Sequence, residues 1–462
     1  MPTTTNRIPG DTPFNRIAEL RSIAVIALPI ILAQLLQMGM GVIDTVMAGR
    51  IDALSIAAIA LGSSLWFFVA LLGIGVMLAL SPIIAQHIGA NNHPLIREEL
   101  RQGIWLALTV GVFQVAIVLS LVYVMPLIGV EEEIIPAATD YIHWVAWSLP
   151  FNCLYLVPRS FNEANGNTMP ILWIQIIILP VNIVGNYLLM YGNFGFPEMG
   201  ASGAALSTGI AQLLGCVMLY TYTLRTSRYE DYNLRKRMTG PDWKHIYQTF
   251  KLGFPIAISM GMEVGLFTAT ALLMGRFGVE AAAGHQIALN IASIAFMIPL
   301  GVSMALTVRI GQATGAGNRL TARKRGQLGI LLCGAICTAS ALVLWLFGSM
   351  LAGLYTDEMA VVSIASQLLI FAALFQIVDG LQIGAVGVLR GLKDTKIPML
   401  IAIFCYWVVG MGTALNFGIG QNMGPAGLWM GLVAGLAVAA IAMNIRFHLI
   451  TRSAIDTPAV SA

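Results

Sequence analysis

Charge is what this chain has least of. Asp, Glu, Lys and Arg make up 10% of its 462 residues, against roughly 25% in soluble domains. No lysine or arginine stands between Arg21 and Arg50, and an apolar run fills that interval. Runs of about 20 apolar residues recur along the rest of the chain, each long enough to cross a hydrocarbon layer of roughly 30 Å. A soluble globular domain is therefore excluded. The net charge of +3 comes with no basic patch interleaved with aromatics, which argues against nucleic acid as a partner. Enzymatic signatures are missing as well. There is no Walker A sequence, zinc motif, dinucleotide fingerprint or nucleophile elbow, so ATP-driven pumping and ordinary hydrolysis have no support. The five cysteines are odd in number and all lie in apolar runs, so they read as packing thiols. The polar start of the chain, with Arg7 and Arg16, reads as a solvated tail. No small-residue cleavage site closes the apolar run behind it, as a cleaved signal peptide requires.

What is present is a duplication. Pro29, Gly49, Gln86, Gly89, Asn92, Arg97 and Gly103 reappear at one constant offset as Pro255, Gly275, Gln312, Gly315, Asn318, Arg323 and Gly329. Twelve spans are expected, over 23–49, 54–85, 100–125, 134–157, 169–191, 200–224, 250–275, 281–308, 327–354, 361–388, 397–419 and 425–447. With both termini inside, only Arg50 and Arg276 of the 25 lysines and arginines remain outside, the asymmetry that the positive-inside rule demands. Six spans per copy give both copies the same orientation. The expected fold is thus an all-α integral membrane protein of two six-helix bundles, related by a pseudo-twofold along the membrane normal with a cavity between them. The expected parts are a cytoplasmic tail (1–22), an N-lobe (23–225), a solvated cytoplasmic linker (226–249) carrying Arg235, Lys236 and Arg237, a C-lobe (250–448) and a cytoplasmic carboxyl tail (449–462).

Of the 22 acids, three fall well inside spans: Asp44, Glu263 and Asp379. An ionisable group at such depth is a functional candidate, because an aspartate in lipid costs about 2.5–3.5 kcal/mol on insertion scales. Gln34, Gln37, Gly41 and Asp44 recur at helical spacing as one polar stripe. Asn182 and Asn186 on span 5 and Thr208 on span 6 lie at the depth of Asp44, toward the outer side. In the second copy Glu263 has Ser259 and Thr270 near it, Gln286, Asn290 and Ser293 share a face of span 8, and Gln376 and Gln382 flank Asp379. The copies differ chemically, since Thr270 takes the place of Asp44 and Asn152 stands opposite Asp379. A carboxylate among amides suits a proton or a hard cation with oxygen ligands. His285 begins span 8 and reads as a packing or capping residue.

Several stretches resemble one family. Leu28-Pro29 with Val42 to Gly49, Gln86 to Asn92 (QHIGANN) with its echo Gln312 to Asn318, Gly200 to Ala205, and Lys393 to Pro398 are similar to the multidrug and toxic compound extrusion (MATE) family. Met262-Glu263 and Val378 to Gly380 resemble its NorM-type bacterial branch. The resemblance covers essentially the whole chain. It implies a multidrug efflux antiporter that exports cationic amphipathic drugs in exchange for inward H+ or Na+ by alternating access. Asp44, Asn182, Asn186 and Thr208 would serve an amino-terminal site, with Gln34 on the stripe below. Glu263 and Asp379, with Asn290 and Ser293, would serve a carboxy-terminal cation site. Sodium is expected at Glu263 and Asp379 or at Asp44, with no cofactor besides the coupling ion. Phe296 departs from relatives that present a tyrosine hydroxyl in that stretch. The expected setting is a bacterial inner membrane, with a monomer in the bilayer. A lipid or lipid-linked sugar flippase of related fold is the alternative, and it calls for cations rather than acids in the cavity. A major-facilitator transporter would carry a glycine–aspartate–arginine signature where QHIGANN stands.

Overall fold

Residues 14–236 and 239–456 are described by a computed structural model. Most of the expected amino-terminal tail, Arg237 and the end of the carboxyl tail lie outside them. The described chain is almost wholly helical: α1 (Arg16–Ala48), α2 (Ala53–Met77), α3 (Leu80–Gly89), α4 (His93–Leu121), α5 (Ile134–Ala146), α6 (Ser148–Ala164), α7 (Met169–Leu189) and α8 (Ala201–Arg225) come first. After the linker follow α9 (Trp243–Met274), α10 (Val279–Gly315), α11 (Arg319–Gly353), α12 (Met359–Gly391), α13 (Lys396–Ile403), α14 (Met411–Leu415) and α15 (Gly424–Asp456).

Eleven rods among the described residues are long and apolar enough to cross a membrane. The twelfth crossing, expected over 134–157, consists of α5 and α6. Trp147 between them keeps helical angles (φ −64, ψ −15). Pro150 lacks the N–H that would bond back across the break, so the rod is interrupted without turning aside. Pro82 stands in the same relation to the break between α2 and α3. The chain is thus twelve transmembrane rods in two bundles.

The linker end holds the bundles together. There the QHIGANN stretch and its echo form the same device. α3 ends at Gly89, Asn91 turns the chain at φ 53, and the Asn92 side chain caps α4 by accepting from Leu95 N–H. α10 ends at Gly315, Gly317 turns at φ 73, and Asn318 caps α11 by accepting from Thr321 N–H. The two helix ends cross so closely that a side chain at Gly89 would overlap the Gln312 carbonyl, and one at Gly315 the Gln86 carbonyl. Gln86 Nε2 then donates across the seam to Gly391 O at 3.0 Å, and Gln312 Nε2 to Ala164 O at 2.8 Å. Inside this seam lies a void of about 10 Å³ lined by Leu78, Ser81, Glu163, Met304, Thr307 and Arg390. These are three pseudo-symmetric pairs, and the last is an acid opposite a base. A void of that size is at or below the minimum for a single water.

Two expectations fail at this end. The residues before 23 are not all a solvated tail: α1 begins at Arg16 on an Asn15 cap, and Glu19 is 5% exposed. It is buried because Arg309 Nη2 (2.6 Å) and Arg325 Nε (3.0 Å) from the other bundle neutralise it. Nor is the linker free. Lys236 O accepts from Arg101, Thr239 O from Trp105 and Gly240 O from Gln102, all on α4. Tyr229 is 3% exposed and donates to Asn162. Backbone carbonyls near a membrane surface need donors, and α4 supplies them.

Overpacking a tight contact costs about 1–3 kcal/mol. Gly315→Val should therefore lower the thermal midpoint of the purified protein, whereas the same change at Gly353, where a side chain would meet nothing within 4 Å, should leave it near wild type.

Candidate functional site

In the first bundle, α1, α7 and α8 bring a carboxylate and its partners together. Asn186 Nδ2 donates to Asp44 Oδ1 at 2.6 Å, and Thr208 Oγ1 donates to Asp44 Oδ2 at 3.2 Å. Asn182 Nδ2 donates in turn to Thr208 Oγ1 at 3.2 Å. Asn182 and Asn186 are fully buried, and the Oδ1 of each has no partner. The carboxylate is thus held by donors, with two amide oxygens free to accept. A buried amide oxygen without a donor calls for an explanation, and a proton or alkali cation arriving at Asp44 would supply one. Tyr141 on α5, which the sequence did not single out, lies within electrostatic reach of Asp44.

Gln34 does not belong to this group. Its Oε1 accepts from Arg159 Nη2 at 3.3 Å, and Arg159 pairs with Glu163 at 2.8 Å. Ten residues of helix, about 15 Å, separate Gln34 from Asp44. The shared stripe was real, but a stripe that long spans two environments.

The second bundle is built differently. Glu263 on α9 and Asp379 on α12 lie within electrostatic reach of each other, and Arg390 acts on Glu263. Asp379 is 1% exposed, and its Oδ1 has no partner. The Oε1 atoms of Gln376 and Gln382, three residues to either side, are also buried and unpartnered. Their amide nitrogens are used elsewhere: Gln376 donates to Ala292 O, and Gln382 to the Tyr406 hydroxyl. Tyr406, 1% exposed, feels the charge of both acids. It brings a phenolic oxygen to a bundle in which Phe296 has none, from a π-helical stretch of the eleventh crossing.

Asn290 and Ser293 are not joined to these acids. Asn290 Oδ1 accepts from Tyr355 Oη at 2.8 Å, and Ser293 Oγ donates to Leu289 O on its own helix. Thr270, in the place of Asp44, likewise closes its hydroxyl on Leu266 O. His285 accepts from Trp429 Nε1 at 3.1 Å inside the apolar core. The five cysteines are all buried and free.

The comparisons with known proteins agree with this architecture. The MatE family model matches residues 29–188 and 255–417, two windows whose starts, Pro29 and Pro255, are equivalent positions of the repeat. The chain is 39% identical over 443 residues to a probable multidrug resistance protein NorM of Idiomarina loihiensis, covering 95% of each. It is 35% identical over 439 residues to the multidrug resistance protein MdtK of Edwardsiella ictaluri, covering 94% of this chain and 96% of the relative. A crystal structure of a eukaryotic MATE transporter superimposes with a TM-score of 0.86 at 22% identity, over 96% of this chain and 99% of that one. An outward-facing multidrug resistance MATE transporter gives 0.85 at 20% identity, over 97% and 100%.

Leaving a half-buried carboxylate oxygen without its donor costs about 1–3 kcal/mol, and Asn186 is the donor to Asp44 Oδ1. Asn186→Ala should therefore lower unfolding stability by that order in a denaturant titration, and Gln34→Ala should leave the Asp44 network intact.

Proposed function

The chain belongs to the MatE family of multidrug efflux transporters, and from that premise we propose that it is an antiporter exchanging cationic amphipathic drugs for inward H+ or Na+. It is a transporter and not an enzyme. The observation that carries the antiport reading is the pair of unpartnered oxygen sets, Asn182 and Asn186 beside Asp44 and Gln376 and Gln382 beside Asp379. Each set offers oxygen acceptors on residues that neighbour a carboxylate in space or in the chain, the ligand chemistry of a site that takes up a small cation or a proton.

The exchange runs on mutual exclusion. A bare carboxylate attracts an organic cation; a proton or sodium ion entering from outside cancels that attraction and releases it. The bundles then rock, the linker-end seam parting as the far end closes, to present the site to the other face. An inward charge crossing 100 mV supplies about 2.3 kcal/mol, which drives the drug outward against its gradient. In this reading the linker end faces the cytoplasm of a bacterium, both termini lie inside, the membrane is the inner one and the unit is a monomer. Sodium, where it is the coupling ion, sits at Asp379 with Glu263 or at Asp44. The flippase alternative is not favoured, because the relatives are named for multidrug resistance.

In proteoliposomes with imposed pH or sodium gradients, Asp44→Asn and Asp379→Asn should fold and yet reduce gradient-driven ethidium efflux to the level of empty liposomes. Efflux at the wild-type rate by both would overturn the antiport mechanism, and the gradient that drives the wild type identifies the coupling ion.

A further inference from the structure

The seam holds a second titratable cluster, remote from the two carboxylate sites. Glu99 on α4 is 5% exposed. Its Oε1 lies 2.9 Å from Nε2 of His245, on α9 of the opposite bundle, and 3.5 Å from Nε2 of His87 on α3. Its Oε2 is buried and has no partner. The other charges facing the cluster are nearly all committed. Glu98 accepts from Gln102 and Thr239 and pairs with Arg101 at 3.6 Å. Asp242 caps α9 by accepting from Lys244 and His245 N–H. Lys393, in the turn after α12, is a further cation within electrostatic reach of Glu99.

Duplication supplies the control. Glu19 and His245 are equivalent positions of the repeat, and so are Glu99 and Arg325. Glu19–Arg325 and His245–Glu99 are therefore one contact made twice across the pseudo-twofold, with the polarity reversed. In one copy the base is an arginine, joined by Arg309, which stays charged at every physiological pH. In the other it is His245, with a second imidazole 3.5 Å from the same carboxylate oxygen, and histidine is the side-chain type that gains or loses its charge between about pH 5 and 8.

We propose that Glu99, His87 and His245 form a proton-binding site at the cytoplasmic seam that clamps the bundles together when the imidazoles are charged. Neutral imidazoles leave a hydrogen bond where an ion pair stood, and the seam then relies on the arginine clamp alone. An acid cytosol thus holds the transporter closed to the inside, and a neutral one frees the bundles to part. The placement of this cluster in the cytosol rests on the orientation adopted above; the clamp itself does not depend on which ion drives export.

The test is a distance measurement on the full chain in lipid nanodiscs, with neither drug nor gradient, so its outcome is separate from that of the efflux assay. Spin labels at Leu95→Cys and Leu320→Cys sit on exposed positions at the starts of α4 and α11, one on each bundle, while the native cysteines are buried. The wild type should pass from a short to a longer distance as the pH rises from about 5 to about 8. His245→Arg should keep the short distance throughout. His245→Gln should lose at least about tenfold of the pH-driven shift in the closed-to-open ratio, the equivalent of one pH unit of proton linkage. Wild type that shows no shift over this range, or both variants titrating as wild type does, would overturn the proposal. A purely structural role for His245 would move the distance at all pH values and leave the titration in place.

Discussion

Gln86 and Gln312 reach across the seam to the last carbonyls of α12 and α6, and Gly89 and Gly315 let the backbones come close enough for them to do so. Every feature above the seam depends on that crossing. A transporter of two rocking bundles needs one end where they touch through a small, well-defined surface and another where they are free to separate. Backbone against backbone, with side chains excluded by two glycines, gives such a surface: it has few rotamers to rearrange, and its hydrogen bonds can be remade. The buried acid–base pairs Glu19 with Arg309 and Arg325, and Glu99 with His245, belong to the same surface.

The two carboxylate sites show how a duplicated fold divides its labour. The first bundle gathers its polar groups around a single acid, with Asn186 and Thr208 donating to it and Asn182 donating to Thr208. The second brings two acids, a tyrosine and an arginine into electrostatic reach of one another with two glutamines beside Asp379 in the chain, and among the described residues Asp379 Oδ1 has no donor. Thr270, turned onto its own helix where Asp44 stands in the first copy, marks the point at which the copies parted. Tyr406 restores a hydroxyl from a different helix than the one where a relative would carry it.

Much of this was legible in the chain. The repeat, the twelve crossings and the three deep acids follow from hydropathy and spacing, because lipid punishes a misplaced charge heavily. The gathering of Asp44, Asn182, Asn186 and Thr208 was legible from depth alone. Contacts between helices were not: Gln34 shares a stripe with Asp44 but turns to Arg159, and Asn290 turns to Tyr355. Hydropathy alone puts Glu19, Glu99 and Glu163 in loops or tails, because it falls before the helices end. A signal for them was nevertheless present. In the other copy their positions carry His245, Arg325 and Arg390, acid exchanged for base three times, which is what a contact between the copies requires and what a solvated loop does not.

The docked linker has a mechanical consequence. With Lys236, Thr239 and Gly240 fastened to α4 by their carbonyls, the connection between the bundles travels with the first of them. Asp242, the cap of α9, is fastened there too, its N–H donating to Gln102 Oε1 at 2.9 Å, so the linker is held to α4 up to the residue at which α9 begins. With no slack left before its first turn, α9 can pivot at Asp242 but cannot slide along α4, and the stroke of the second bundle is limited at the residue that caps its first helix.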